Sequence, residues 1–343
     1  MTIRIGLIGA GNISNTHARA AREIPGVEIV AIHGTNQEKV SRLSREFGAK
    51  PYTEFKSFLA HSPMEAVIIG SPSGLHAEQG IAAAQHKLHV LTEKPIDIST
   101  ERVDALIAAC KRAAVKLGVI FQDRFKADIL RLKQFLAAGS LGKPLLVDAR
   151  VKWYRPSEYY RESRWRGALA LDGGGALMNQ GIHTVDLLIW LFGEVKKVQA
   201  STATLLHDIE SEDTALALLE FASGAVGVLH ATTAAYPGYP RRVEITGSEG
   251  TIVLEQDRIV AADVRNKDKS LISVDAGDQN SSASSPVVSD VRGHRLAIED
   301  FIRAIETDGT PACDGEDGRR SLALVEAIYQ SAGSLRKTMQ RAM

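Results

Sequence analysis

Apolar residues in the first third of the chain fall into short unbroken runs: IRIGLIG, VEIVAI, AVIIGS, HVLTE and LGVIFQ. Between them the apolar positions spread to helical intervals, over about 12–24, 36–47, 75–86 and 99–116. Continuous apolar strands alternating with helices are the pattern of a parallel sheet covered on both faces. After roughly Arg124 the rhythm changes. A helix over about 126–138 leads into LLVDARVKWY, a loop rich in Tyr, Arg and Trp follows, and then the apolar segment ALMNQGIHTVDLLIWLF. Next come KVQASTATLL, TALALLEFA, GAVGVLHATTA, RRVEITG and TIVLEQDRIVAA, with turns at Ser223-Gly224 and Gly247-Ser248-Glu249-Gly250. Consecutive strands with short turns predict an antiparallel sheet. Helices over about 293–307 and 318–337 close the chain, after a polar, small-residue stretch from about Asp275 to Ser289 that reads as a mobile loop. The pattern therefore predicts an α/β nucleotide-type domain over 1–123 and an α+β domain over 124–343.

Composition narrows the function. At 343 residues, two domains are the natural prior. The 41 basic and 41 acidic residues cancel, which argues against a nucleic-acid footprint. The two cysteines, Cys110 and Cys313, give no disulfide framework and fit a reducing compartment. There is no metal-ligand cluster of Cys and His in the sequence, so no metal is expected. TIRIGLIGAG lacks the features of a secretory signal, and no apolar run approaches a membrane span. A soluble cytoplasmic protein is expected.

Two motifs carry chemistry. Gly9-Ala10-Gly11-Asn12-Ile13-Ser14 follows a strand and opens a helix. Gly9 suits a tight turn, and Gly11 bares the backbone where a pyrophosphate must approach. The first-turn N–H groups of Asn12 and Ile13 then face the phosphates. At the end of the second strand, where NAD-binding folds usually carry Asp or Glu, the chain has Gly34-Thr35-Asn36, with Lys39 beyond. Thr35 and Asn36 can donate to a 2′-phosphate and Lys39 can neutralise it, which points to NADP ahead of NAD; a solvated Lys39 on a helix is the plain alternative. The second motif is His89-Val90-Leu91-Thr92-Glu93-Lys94-Pro95. Ligands of an open parallel sheet bind at the carboxyl ends of its strands, so Glu93 and Lys94 fall where a dinucleotide presents its nicotinamide. Ser71, Pro72 and His76 in SPSGLH end the preceding strand on the same edge.

These motifs, with FQDRF, GGGALMNQGIHTVD, RRVEITGSEGTIVLE and GRRSLALVEAIYQSA, resemble the Gfo/Idh/MocA oxidoreductases over nearly the whole chain. The resemblance implies an N-terminal Rossmann dinucleotide-binding domain and a C-terminal domain on an open, largely antiparallel sheet. In relatives that sheet often joins subunits, so a homodimer or homotetramer is expected. It also implies hydride transfer between nicotinamide and a ring carbinol of a sugar or polyol, with the proton handled by the protein. The family's lysine falls on Lys94, which would bind the reacting hydroxyl, and its histidine on His183, the acid–base. Much of the family has Asp four residues before that histidine; here it is Asn179, which can orient a hydroxyl but cannot take its proton. Asp186 would hold the other imidazole nitrogen, or act as a capping or surface carboxylate. By the same resemblance Gln122 and Arg124 lie beside the nicotinamide, and Trp165 and Arg166 contact cofactor and substrate. Tyr154, Arg155, Tyr159, Tyr160 and Arg161 make that loop aromatic and cationic, suited to a sugar face or an anion; packing against a neighbouring subunit is the alternative. The glycines at 173–175 read as bare backbone passing close to ligand. Two other functions remain open: a nucleotide-sugar dehydrogenase of UDP-sugar type, and a dinucleotide-binding regulator without turnover.

Overall fold

The computed structural model describes residues 2–163, 165–265 and 290–342, with side chains as far as Gly333. The loop expected over about 275–289 lies outside the described residues. The chain divides into two compact units, Met1–Gln122 with Val287–Leu322, and Asp123–Pro286 with Ala323–Met343.

The first unit is built on β1 (Ile3–Ile8), β2 (Val27–His33), β3 (Lys50–Tyr52), β4 (Ala66–Ile69), β5 (His89–Glu93) and β6 (Leu117–Ile120). Their order is β3-β2-β1-β4-β5-β6, and every pair is parallel. This is the doubly wound Rossmann order, whose strand order reverses between β1 and β4. The apolar runs are unbroken because both faces are covered: every residue of β4 and of β6 is buried. The connecting helices are α1 (Asn12–Arg22), α2 (Gln37–Phe47), α3 (Phe55–Leu59), α4 (His76–Gln85) and α5 (Thr100–Ala113). The sequence pattern missed β3 and α3. β3 is three residues long with a proline at its centre, which only an edge strand tolerates.

The second unit carries β7 (Pro144–Lys152), β8 (Val195–Ala203), β9 (Thr214–Phe221), β10 (Val226–Thr232), β11 (Arg242–Gly247), β12 (Gly250–Glu255) and β13 (Arg258–Val264). Their order is β13-β12-β11-β7-β10-β9-β8, antiparallel throughout except for the parallel pair β7–β10. TIVLEQDRIVAA proves to be two strands. Gln256 and Asp257 take φ of 50° and 67°, the left-handed pair that a two-residue hairpin turn requires. Burial alternates strictly along β9, so one face of the sheet packs and the other does not. α6 (Ala127–Ala137), α7 (Ser157–Arg161), α8 (Leu169–Asp172), a π-helical turn (Ala176–Gly181) and α9 (Ile182–Phe192) complete this part of the chain. The π turn packs on β9 and β10, and α9 packs on β7.

α10 (Arg292–Glu306) and the start of α11 (Gly315–Ala342) correct the expected boundary, because residues given to the second domain join the first unit. α10 packs on α1, β5 and β6. Phe301, 1% exposed, lies over Gly118, where a Cβ would stand 2.8 Å from its ring. Amphipathicity foretells that a helix buries one face but not which sheet it buries it against.

Candidate active site

In the first unit the α1 N-terminus is the open feature. Gly9 has φ of +114°, and a Cβ there would stand 2.7 Å from the Gly70 carbonyl oxygen, so only glycine makes this turn. Gly11 is the N-cap of α1, gives no side-chain cap, and has nothing within 4 Å of where its Cβ would lie. The first-turn N–H groups, Asn12 and Ile13 among them, therefore have an unobstructed side and a favourable dipole for an anion. Gln122 adds a buried Oε1 without a hydrogen-bond partner, an acceptor that a ligand's N–H would satisfy. These residues fit a dinucleotide. Thr35, Asn36 and Lys39 are exposed at the end of β2, and Asn36 Oδ1 accepts from Lys39 N at 3.0 Å, capping α2.

Two residues expected to touch cofactor also brace the loops. His76 is 1% exposed, with Nδ1 2.8 Å from the Pro95 carbonyl and Nε2 2.9 Å from that of Ser71, so it ties the ends of β4 and β5 together. Burial lowers its pKa. Ser71 itself donates to Gln79 at 2.6 Å, and Pro72 is half-buried beside it. Glu93 is buried too: Oε1 accepts from His17 Nε2 at 2.9 Å and lies 3.7 Å from His294 Nε2, while Oε2 accepts from the Lys94 N–H at 3.0 Å. Burial would raise the Glu93 carboxyl, but the His17 hydrogen bond and the fields of His17, His294 and Lys94 hold it down to about 2. The three ligand-type atoms lie within 4.8 Å of one another, yet His17 and Glu93 already meet directly. Lys94 is half-buried at the carboxyl end of β5.

In the second unit, three segments converge on the stretch that opens α9. His183, 9% exposed, lies two residues past the π turn, a geometry frequent at functional sites. Its Nδ1 is 3.7 Å from Asp123 Oδ2. Asp123 also accepts from Arg241 Nη2 and meets Lys126 Nζ, each at 2.8 Å, and both cations reach Asp257 in the hairpin turn. Burial alone would raise the Asp123 carboxyl; Lys126, Arg241 and His183 hold it well below the usual range. Asp123 was not among the expected site residues. Asp186, which was, accepts from Arg124 through both oxygens at 2.8 and 2.6 Å, and Arg124 lies over the Trp190 ring. Asn179 Nδ2 donates to Asp172 Oδ1 at 2.8 Å, so a buried carboxylate that the sequence reading passed over stands behind the amide.

Two of the glycines before the π turn are required by the packing of the protein itself. A Cβ on Gly174 would stand 2.1 Å from Tyr329 Oη, and one on Gly175 1.7 Å from the Glu212 carbonyl oxygen. Glu212 accepts from Gly175 N, Leu177 N and Tyr329 Oη at 2.9, 2.8 and 3.0 Å, and burial pushes its carboxyl up. In the aromatic loop, the Arg166 guanidinium lies 4.1 Å over the Tyr159 ring, and the Arg155 guanidinium 5.6 Å from the same ring. Trp165 is half-buried beneath Arg166, and Tyr154 packs edge-on against Tyr236. Tyr160, expected at the substrate, is 8% exposed and hydrogen-bonds Thr233 Oγ1 at 2.8 Å; it supports the loop. Arg161 is exposed and pairs with Glu158.

Comparison with known proteins agrees with these features. Residues 3–121 match the family described as "Oxidoreductase family, NAD-binding Rossmann fold", and residues 129–253 match the GFO/IDH/MocA C-terminal domain. The myo-inositol 2-dehydrogenase of Thermotoga maritima is 30% identical over 96% of this chain and 96% of its own length. The D-apiose dehydrogenase of Paraburkholderia graminis is 29% identical, over 95% of this chain and 86% of its own. Among solved structures, the WlbA dehydrogenase from Bordetella pertussis, in complex with NADH and UDP-GlcNAcA, superposes with a TM-score of 0.86 at 36% identity, covering 97% of each chain. Fold and comparisons define an NAD(P)-dependent oxidoreductase acting on CH–OH groups. The chain belongs to the Gfo/Idh/MocA family.

Proposed function

We propose that the protein oxidises a ring carbinol of a sugar or polyol, or reduces the corresponding ketone, with Lys94 and His183 handling the proton. The observation that carries the reading is His183 beside the ionised Asp123. That carboxylate favours the tautomer with its proton on Nδ1, which leaves Nε2 a lone pair for a carbinol proton. Lys94 donates to the reacting oxygen and steadies the charge it gains. Asn179, held by Asp172, orients a hydroxyl, and Trp165 and Tyr154 offer ring faces to sugar C–H surfaces. Bound nicotinamide supplies the hydride acceptor or donor; Gly9, Gly11 and the first turn of α1 would hold its phosphates, and Gln122 its amide. Thr35, Asn36 and Lys39 favour NADP over NAD, and a chain with two buried cysteines suits a reducing cytoplasm. Among the described residues no helix is long and apolar enough to cross a membrane.

A second reading takes a nucleotide-linked sugar as substrate. The 36% identity to a dehydrogenase solved with UDP-GlcNAcA supports it, as do the Arg155 and Arg166 guanidiniums flanking Tyr159. A regulator without turnover is not favoured, because the matching family is one of oxidoreductases.

The test is a panel of monosaccharides, cyclitols, sugar acids and UDP-sugars offered with NAD and with NADP, read by absorbance of the reduced nicotinamide. Turnover on at least one free sugar or polyol is expected, lost in Lys94→Ala and His183→Ala while cofactor still binds. Turnover on UDP-sugars alone selects the second reading. A tighter dissociation constant for NADH than for NADPH overturns the assignment at Thr35 to Lys39.

A further inference from the structure

We propose that Glu93 is a positioning residue: it fixes the backbone of Lys94, and His17 and His294 in turn fix Glu93. The inference deepens the reading of Lys94 given above and rests on it.

The three side chains come from β5, α1 and α10, and their exposures are 6%, 0% and 3%. A carboxylate placed there is costly unless several donors serve it. One oxygen takes the His17 Nε2–H at 2.9 Å with His294 Nε2 at 3.7 Å; the other takes the Lys94 N–H at 3.0 Å. The bonded partner of the second oxygen is the main chain of the residue that would touch substrate. A peptide N–H locked to an immobile carboxylate sets where the Lys94 side chain begins, and a misplacement of about 1 Å can cost about a hundredfold in rate. His17 Nδ1 is buried without a hydrogen-bond partner, so Nε2 is the ring nitrogen committed to Glu93. His17 also lies on the helix that begins at Gly11, so a single carboxylate joins the phosphate-facing helix to Lys94. The titratable and charged groups around Glu93 are His17 from α1, His294 from α10, Lys94 beside it, and His76 from α4 with its neighbour Asp97.

Full-length Glu93→Gln, His294→Leu and Lys94→Ala are compared with wild type. The readouts are kcat and KM across pH, cofactor dissociation constants by nicotinamide fluorescence, and folding by circular dichroism. Glu93→Gln should lose at least tenfold in kcat, with KM and cofactor affinity within threefold. Its alkaline activity limb should move to lower pH, since an ammonium that loses a neighbouring carboxylate gives up its proton more readily. His294→Leu keeps the carboxylate and its bond to Lys94, and should lose about threefold to tenfold in kcat at unchanged KM; it carries the test if Glu93→Gln does not fold. A folded Glu93→Gln with wild-type kcat and pH profile overturns the proposal, as does a loss that tracks weaker cofactor binding. So does a His294→Leu protein with wild-type kcat where Glu93→Gln fails to fold. Full turnover in Lys94→Ala overturns instead the reading of Lys94.

Discussion

Glu93 and Asn179 show how single polar residues are set by partners far along the chain. The Glu93 carboxyl is held at about 2 against an ordinary 4.5, so its pairing stabilises the fold wherever the unfolded chain would be ionised. That stability is fully present above about pH 4.5 and drains away as pH falls towards 2. The shift corresponds to about 3 kcal/mol. Urea unfolding from pH 7 down to pH 3 should therefore show a steeper loss in wild type than in Glu93→Gln; equal slopes would remove the burial-and-pairing account. Asn179 argues in the opposite direction. Its amide donates to Asp172 at 2.8 Å, so Asn179→Asp would set two carboxylates face to face. One of them must then keep its proton, with a raised folded pKa. The variant should match wild type below about pH 4 and lose about 1–3 kcal/mol as pH rises to 7. Thermal unfolding of both proteins across that range checks it, and a pH-independent difference would sink it. The sequence signalled Asn179 as a departure from the family. It did not signal Asp172, although that residue begins the same motif, because spacing alone does not reveal which carboxylate bends back.

At the scale of elements, the unbroken apolar runs made β1, β4, β5 and β6 legible, and alternation made β9 legible. The π turn was not legible: ALMNQGIHTVD has ordinary helical spacing, and only the close fit of Gly174 and Gly175 against Tyr329 and Glu212 accompanies the wider turn. Nor were Asp123, Arg241 and Asp257 legible as one cluster, since they come from three separate segments and meet His183 through Asp123. Two glycine-to-alanine changes separate the kinds of constraint involved. Gly175→Ala drives a Cβ into a backbone carbonyl and should cost about 3 kcal/mol or more, with the fold rather than the cofactor affected first. Gly11→Ala meets nothing within 4 Å in the protein. It should change the melting temperature by no more than about 3 °C, while weakening NADPH or NADH binding tenfold or more, because the methyl occupies the side from which phosphate approaches. Melting curves and cofactor titrations of the two variants settle it; a Gly11→Ala protein with wild-type cofactor affinity would remove α1 as the phosphate site.

For the whole molecule, the outward face of the second sheet is where a partner is expected. Leu146, Leu216, Leu218 and Val226 are 48%, 47%, 54% and 49% exposed. They are not scattered: Leu146 pairs with Val226 across β7–β10, and Leu218 pairs with Val228 across β10–β9. A contiguous apolar patch on an open sheet is the mark of an interaction surface. Charged rows flank it, with Asp148 next to Glu244 and Arg150 next to Arg242 in the β7–β11 register. A second copy related by a two-fold axis would bring those acidic and basic rows within reach of each other and cover the leucines. We expect the protein to run as a homodimer or homotetramer in light scattering. Leu216→Glu with Leu218→Lys should shift it to a smaller species without loss of cofactor binding, since neither residue belongs to the Rossmann unit. The smaller species should also melt lower, by an amount that shrinks as wild type is diluted, because assembly stabilises by mass action. A wild-type protein that is monomeric at every concentration would leave the leucine face without this explanation. An assembly unaffected by the two substitutions would place the contact elsewhere.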